Sequence, residues 1–473
     1  MTYESVIGLE IHVELDTASK IFCGCSTAFG AAPNTQTCPV CVGMPGTLPV
    51  LNEQVASLAI KAGLALHCDI QMTNKMDRKN YFYPDLPKAY QTSQFDLPIC
   101  GDGYLDIEVG GQVKRVGITR IHIEEDPGKL VHTDEGTTLI DYNRSGVPLI
   151  EIVTEPDIRS EEEAMAFLKA LKSILQYAQI SDCRMEEGSL RCDANISVRE
   201  VGESQLNTKV EIKNLNSFKE VKKALGKEMK RQSELYRFGE GHKIRQETRK
   251  WDAAKGRTLT MRTKEDAHDY RYFPEPDLPP IVLHEEDIQK GKASMPELPQ
   301  AKRARFIQAY GLTSQEADIL TADRAVATFF EALIEKGAPA KRAANWTVSE
   351  VLRFYKEGQS LPISPDALTD ILLFIEKGTL STTAGKEVFA AVMETGKAPM
   401  VIVEERGLAQ IHCEDQLSEV IEEVLAAHGK AVEDYQSGRL EAAGFLMGMV
   451  MKATKGQANP ARAKALIESK LAG

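Results

Sequence analysis

The sequence has no run of about 18 consecutive apolar residues, so no part of it is predicted to span a bilayer as a helix. Its first residues, Met1-Thr2-Tyr3-Glu4-Ser5, lack the basic and apolar regions of a secretory signal. Together these absences predict a cytoplasmic protein with no membrane partner. Excess basic charge is missing too. A net charge of −12 argues against an indiscriminate nucleic-acid binder, while leaving room for a nucleic acid held at local patches. No Gly-x-x-x-x-Gly-Lys-Ser/Thr motif occurs, since the stretch Gly378 to Lys386 has the wrong spacing and no hydroxyl after the lysine. A nucleoside triphosphate, if used, is then held by a sheet face and metal ions rather than by a phosphate-binding loop. The nine cysteines are odd in number and unevenly spread, which argues for reduced thiols or metal ligation rather than a disulfide framework.

What is present is a globular composition, 42% hydrophobic and 27% charged, over 473 residues. That length exceeds a single core and predicts roughly two to four domains. The stretch Val6 to Leu15 alternates almost perfectly: Ile7, Leu9, Ile11, Val13 and Leu15 point one way, and Glu10, His12 and Glu14 the other. Taken alone, this is also the pattern of any half-solvated strand. Four further stretches share the two-faced character, at 120–126, 149–155, 190–199 and 209–213. Their polar residues include His122, Glu124, Glu125, Glu151, Arg191, Asp193, Asn195 and Glu211, types that bind divalent cations and phosphates. If the five strands share one sheet, its polar face gathers carboxylates for Mg²⁺ and arginines for phosphoryl oxygens.

Two close cysteine pairs, Cys23-Gly24-Cys25 and Cys38-Pro39-Val40-Cys41, flank a loop of about a dozen residues, the pattern of a closed, structural Zn²⁺ site. Four unligated buried cysteines are the alternative. Residues 76–95 combine prolines with Tyr81, Phe82, Tyr83 and Tyr90 and with the cations Arg78, Lys79 and Lys88, which suits a nucleotide or a terminal adenosine as well as it suits a packed loop. Cations crowd Lys222 to Lys250, either a nucleic-acid patch or a solvated helix face. Helices are predicted over 52–66, 160–178 (capped by Ser160) and 216–235. Prolines from Pro274 to Pro299 read as a linker closing the first domain near 294. Helical periodicity follows at 299–310, 313–320, 322–337, 339–357, 364–377 and 381–395, and a last helical unit carries the cations Arg439, Lys452, Lys455 and Arg462.

The motifs Ile7 to Leu15, Asp77-Arg78-Lys79-Asn80-Tyr81-Phe82-Tyr83-Pro84-Asp85, Pro87-Lys88-Ala89-Tyr90-Gln91, His122 to Asp126, Asp141 to Glu151, Arg191 to Asn195 and Asp269 to Asp277 resemble, in order and over essentially the whole chain, the B subunits of bacterial-type aspartyl/glutamyl-tRNA amidotransferases. The resemblance implies an α+β fold: a cradle domain (1–294) whose largely antiparallel sheet resembles that of glutamine synthetase, an all-α helical domain (295–407), and a small helical tail domain contacting tRNA (408–473). It implies a ligase. ATP phosphorylates the side-chain carboxylate of Glu-tRNA(Gln) or Asp-tRNA(Asn), and ammonia then displaces phosphate to give Gln-tRNA(Gln) or Asn-tRNA(Asn).

On the same ground Glu10, His12, Glu125 and Glu151 are expected as catalytic Mg²⁺ ligands, with Glu124, Asp193 and Glu211 for a further ion. Lys79, Lys88, Arg144 and Arg191 are expected at phosphates, and Tyr81, Tyr83 and Tyr90 for stacking. Strict alternation places Glu124, not Glu125, beside His122, and a bulge at that strand end would reconcile the two. The sequence has no serine-lysine amidase signature and no cysteine glutaminase, so a partner must supply ammonia; the resemblance implies an amidase A subunit and a small C subunit in a heterotrimer, misacylated tRNA(Gln) or tRNA(Asn) and, as a further candidate, the cognate aminoacyl-tRNA synthetase. A non-catalytic tRNA-binding scaffold and a metal-dependent hydrolase are the rival readings.

Overall fold

The structure, a computed structural model, describes residues 2–263, 269–409, 414–437, 439, 441–454 and 457–472. It divides into two compact units, Met1–Leu298 and Pro299–Gly473. The first contains strands β1 (Tyr3–Glu14), β2 (Thr73–Asn74), β3 (Asp77–Asn80), β4 (Tyr90–Ser93), β5 (Gly103–Val109), β6 (Gln112–Glu125), β7 (Lys129–His132), β8 (Thr138–Asp141), β9 (Pro148–Thr154), β10 (Leu190–Glu200), β11 (Val210–Lys213), β12 (Glu247–Asp252) and β13 (Arg257–Thr263). Helices α1 (Glu53–Ala65), α2 (Glu161–Tyr177) and α3 (Phe218–Arg237) accompany them. Eight strands form one sheet in the order β13-β12-β11-β10-β1-β9-β6-β5, antiparallel except for the β11–β12 pair. The five two-faced stretches therefore do share a sheet.

Strand β1 is central because its alternation satisfies two environments at once. Ile7, Leu9, Ile11 and Val13 are each at most 1% exposed and join Phe167 and Leu171 of α2 and Val221 and Leu225 of α3 in one core. Burial of side chains this size contributes roughly 1.5–3 kcal/mol apiece, and a slip of one residue would turn the whole set to the polar face. The helices begin where the sequence supplies caps: Asn52 accepts from the amide of Gln54, Ser160 from Glu163 and Ser217 from Glu220. Glu161, Glu162 and Glu163 complement the positive end of α2.

The proline-rich stretch expected to be a linker is folded into the first unit. Phe273–Pro274 pairs with β3 at a sheet edge, where a residue without an amide hydrogen loses no ladder bond, and Ile281–Val282 pairs with β2. Glu275, just beyond, takes a bidentate bond from Arg78, both contacts at 2.7 Å, and a helix over Glu285–Ala293 packs on α1. The second unit is helical in its described residues, with cores of its own. Its helix expected over 339–357 ends at Trp346 in a wider turn spanning Thr347–Val351, where buried Glu350 is held by Lys386 at 2.7 Å. A further helix, Pro399–Arg406, starts on a proline that fits a first turn. In the tail, Leu417, Ile421, Leu446, Val450 and Ile467 pack together. Among the described residues no helix is long and apolar enough to cross a membrane.

One buried charge ties α3 to the sheet. Glu228, 0% exposed, accepts from Arg231 at 3.0 Å, Gln232 at 2.9 Å and Thr258 at 2.9 Å. Burial alone would raise its carboxyl, but Arg231 and the other donors hold it below the ordinary range. Glu228→Leu is expected to destabilise the unit by about 3 kcal/mol, since the arginines keep their charge and lose the partner. Urea unfolding followed at Trp251, in a Trp346→Phe background that leaves it the single tryptophan, measures this.

Candidate active site on the polar face of the sheet

The register of the central strands sets Arg191 of β10, His12 of β1, Glu151 of β9 and His122 of β6 side by side in one row. Glu124 follows His122 by two residues and so shares its face. His12 Nε2 lies 3.2 Å from Glu151 and 3.5 Å from Glu124; His122 Nε2 lies 3.4 Å and 3.6 Å from the same two carboxylates. The Ser93 hydroxyl donates to Glu124 at 3.3 Å. His12, Glu124 and Glu151 each present a ligand atom, all within 4.8 Å of one another, so an imidazole and two carboxylates fit a divalent ion.

The electrostatics of this cluster are tightly balanced. Burial would lower His122, but Glu151 and Glu124 beside it push it up to about 9. His12 is raised too, its hydrogen bond to Glu151 and the nearby carboxylates outweighing burial. Against the opposing effect of burial, the histidines hold Glu151 well below the usual carboxylate range, and His122 draws Glu124 down. Lys79 sits close enough to be raised by Glu124 in spite of burial, with its ammonium 5.0 Å from the centre of the Tyr270 ring. Tyr81 meets Tyr270 edge-on, the centroids 5.7 Å apart, in the same corner.

The other expected ligands stand elsewhere. Glu10 lies one row along the face and accepts from Asn195 at 2.8 Å. Asp193 and Glu211 are tied to each other through Lys213, at 2.6 and 3.2 Å, and Glu211 also accepts from Thr248 at 2.6 Å. Glu125 is not beside His12. The one irregularity between β6 and β9 falls at Ile118/Arg120, so alternation runs undisturbed through the strand end and sends Glu125 away from Glu124. There its carboxylate binds the Lys88 ammonium and accepts from the Thr92 amide at 2.8 Å, in a cavity lined also by Tyr90, Glu275 and Cys41. Lys88 and Tyr90 thus belong to Glu125's cavity, and Tyr83 is 52% exposed.

Arg144 and Arg191 converge on Asp126. Arg191 binds it bidentately at 3.0 and 2.7 Å, and Arg144 approaches to 3.7 Å while donating to the carbonyls of Pro127 and Gly128. Glu14 joins them, pushed up to about 8 by burial and by Asp126, while the arginines hold Asp126 down. His122, Asp126 and Glu14 were missing from the expected set. His122 was legible, because it shares Glu124's strand face; Asp126 was not, because its partner is 65 residues away. The basic stretch 222–250 is partly neutralised: Lys222 pairs with Glu162, Arg231 with Glu228, Lys243 with Glu240 and Arg249 with Glu247. Lys455 of the tail lies outside the described residues.

The four cysteines of the first motifs also form one group, with all four sulfurs within 4.8 Å. The Cys38 amide donates to Cys41 Sγ at 3.2 Å, and Cys41 is drawn down to about 5, first by Cys23, with the Lys20 ammonium contributing. Thiolate chemistry in a converged set of four suits a structural metal such as Zn²⁺. A last cavity opens on the sheet's polar face beyond Glu10, with Gly8 in its floor, Val153, Pro156 and Leu206 as apolar walls and Asn195, Ser197 and Asn207 as polar edges.

Residues 5–289 match the GatB/GatE catalytic domain and residues 328–471 the GatB domain. The second aspartyl/glutamyl-tRNA(Asn/Gln) amidotransferase B subunit of Clostridium acetobutylicum is 57% identical over 476 residues, covering 100% of both chains. The corresponding B subunits of Clostridium beijerinckii and of a Thermoanaerobacter species are 56% and 55% identical, covering 100% of this chain and 99% and 100% of their own. Matched from end to end in this way, the chain belongs to the GatB/GatE family, alongside the B subunits of the aspartyl/glutamyl-tRNA(Asn/Gln) amidotransferases.

Proposed function

We propose that the chain is the carboxylate-activating ligase subunit of a tRNA-dependent amidotransferase. It transfers the terminal phosphoryl group of ATP to the side-chain carboxylate of glutamate or aspartate carried on misacylated tRNA(Gln) or tRNA(Asn). Ammonia then attacks the acyl carbon, phosphate leaves, and the amide forms. The observation that carries this reading is the His12–Glu124–Glu151 cluster on the polar sheet face, in a chain whose family is shared by such subunits.

A divalent ion, Mg²⁺ being the one that commonly bridges carboxylates and nucleotide phosphates, would supply charge neutralisation at the transferring phosphoryl group. His12, Glu124 and Glu151 would hold it, and His122 would orient the two carboxylates from the side. Arg191, fixed by Asp126 in the same row, would face phosphate oxygens. Lys79 would neutralise the incoming carboxylate. We place the adenine in the slot over Gly8, where apolar walls can take the ring faces and amide and hydroxyl groups its edge. A Cβ at Gly8 meets nothing closer than 3.7 Å, so a larger side chain would grow into the slot without distorting the sheet. Gly8→Leu is expected to raise the KM for ATP about tenfold with kcat nearly unchanged, the signature of lost uniform binding.

Ammonia would come from an amidase A subunit assembled with a small C subunit, in keeping with the lack of a serine-lysine amidase signature in the sequence. The helical unit would divide near residue 407, with the tail gripping tRNA at local patches and the cognate synthetase a further partner. The cytoplasm, where aminoacylated tRNA is made and used, is the proposed location. The test is ATP consumption by the assembled complex with Glu-tRNA(Gln). Cleavage that depends on the charged tRNA supports the reading, and turnover without ATP overturns it.

A further inference from the structure

The four-cysteine site and the candidate active site are bridged by the 141–146 segment, which is hydrogen-bonded at both ends, and Lys20 stands at the cysteine end. Lys20 is 0% exposed, and its ammonium donates to Cys41 Sγ at 3.6 Å and to the Tyr142 carbonyl at 3.2 Å. Four thiolates around a divalent ion leave a net charge of about −2, and a buried ammonium against one sulfur offsets part of it.

The Ser145 amide donates to the same Tyr142 carbonyl at 3.1 Å, and two asparagine side chains tie this segment to the cysteine loop beside it. Asn34 donates to the Ile140 carbonyl at 2.9 Å and accepts from the Tyr142 amide at 2.7 Å. Asn143 donates to the Ala32 carbonyl at 2.7 Å and accepts from the Gln36 amide at 2.8 Å. The same 141–146 segment then reaches the active site, because the Gly146 amide donates to the Asp126 carbonyl at 2.9 Å and Arg144 flanks the Asp126 carboxylate. Asp126 in turn holds Arg191, the neighbour of His12 across the strand pair.

We propose that Lys20 is a positioning residue: through the 141–146 segment it makes the placement of Asp126 and Arg191 depend on the metal-bound form of the cysteine loop. This role rests on the proposed activity, in which Arg191 faces phosphate. It gives the cysteine site an influence on substrate affinity beyond holding its own loop together.

The test uses the assembled complex with Lys20→Met, which keeps the length of the side chain and removes the charge. The variant is expected to retain zinc but to release it to a chromophoric chelator about tenfold faster, to show faster amide exchange over 140–147, and to raise the KM for ATP about tenfold with kcat within about twofold. A purely structural role would lower the active fraction, and hence kcat, at constant KM. Asn143→Ala removes the second tie between the cysteine loop and the 141–146 segment without touching Lys20 or a cysteine, and keeps the test decisive if Lys20→Met does not fold. It is expected to reproduce the exchange and KM changes with zinc release unaltered. Unchanged exchange and KM in Asn143→Ala overturn the coupling. A wild-type complex with no tRNA-dependent ATP cleavage would instead sink the functional reading, while exchange over 140–147 would still decide the coupling.

Discussion

His12→Ala and Glu151→Gln are expected to abolish tRNA-dependent ATP cleavage by the assembled complex while leaving the partner's glutaminase rate and tRNA binding within about twofold. A metal clamp on a transferring phosphoryl group contributes several kcal/mol, and about 4 kcal/mol corresponds to a factor of about 10³ in rate. Glu151 should be the more damaging of the two positions, because its carboxylate stands 3.2 Å from His12 and 3.4 Å from His122 and balances both. His122→Ala removes an orienting contact rather than a ligand, so a loss nearer 10–100-fold is expected. Parallel measurements of ATP consumption, glutamine hydrolysis and tRNA affinity separate these outcomes. Cleavage that survives His12→Ala would favour a scaffold role with the chemistry in a partner.

The proton count sharpens the same experiment. His12 is held above the ordinary imidazole range by Glu151 and Glu124 in spite of burial, so its proton must leave before the nitrogen can bind an ion. Apparent affinity for the divalent ion should therefore rise as pH rises through and beyond that range. In Glu151→Gln the histidine loses its strongest support and the rise should move to lower pH. Ion titrations at several pH values test this, and a pH-independent affinity would remove His12 from the ligand set.

Loss of the cysteine site should have the largest structural effect. Between Leu15 and Asn52 the chain forms no regular helix or extended strand, so its order rests on the sulfur cluster, on scattered backbone and side-chain hydrogen bonds and on Ile21 and Phe22 in the core. Zinc bound by small tetrathiolate and related sites contributes about 10–16 kcal/mol in isolated peptides, far more than any single hydrogen bond. Cys41→Ser, or removal of the metal by a strong chelator, is expected to open residues 23–44 to proteolysis while the eight-stranded sheet keeps its far-ultraviolet signature. It should also release the remaining thiols to a thiol reagent within seconds rather than hours. A native chain whose four thiols already react freely, with no metal in the protein, would show that the cluster carries none.

Much of the first unit could be read from alternation alone. A strand with core on one side and water on the other leaves period two in the sequence, so β1, β9 and β10, the end of β6 and most of β11 were legible, as were α1, α2 with its Ser160 cap, and α3. The cysteine pairs were legible because metal ligation constrains residue type and spacing together. The proline-rich stretch 274–299 misled because proline marks an edge strand as readily as a linker, and only the partner strand β3 tells them apart.

Local chemistry by itself determined which side chains face the core, which face the polar surface, and that Glu10, His12, Glu124 and Glu151 lie on the latter. It also set Glu124 rather than Glu125 on the side of His122, because alternation is a property of the strand. Tertiary structure decided which of these groups meet. The antiparallel registers of β1, β9 and β6 align His12, Glu151 and His122 while leaving Glu10 one row away, and register is set by how three distant strands pack on a shared core. Long-range pairing likewise gave Glu125 to Lys88, Asp126 to Arg191 and Lys20 to Cys41 and Tyr142, because a charge taken out of water is satisfied by whatever partner the fold brings within reach, however far along the chain it lies.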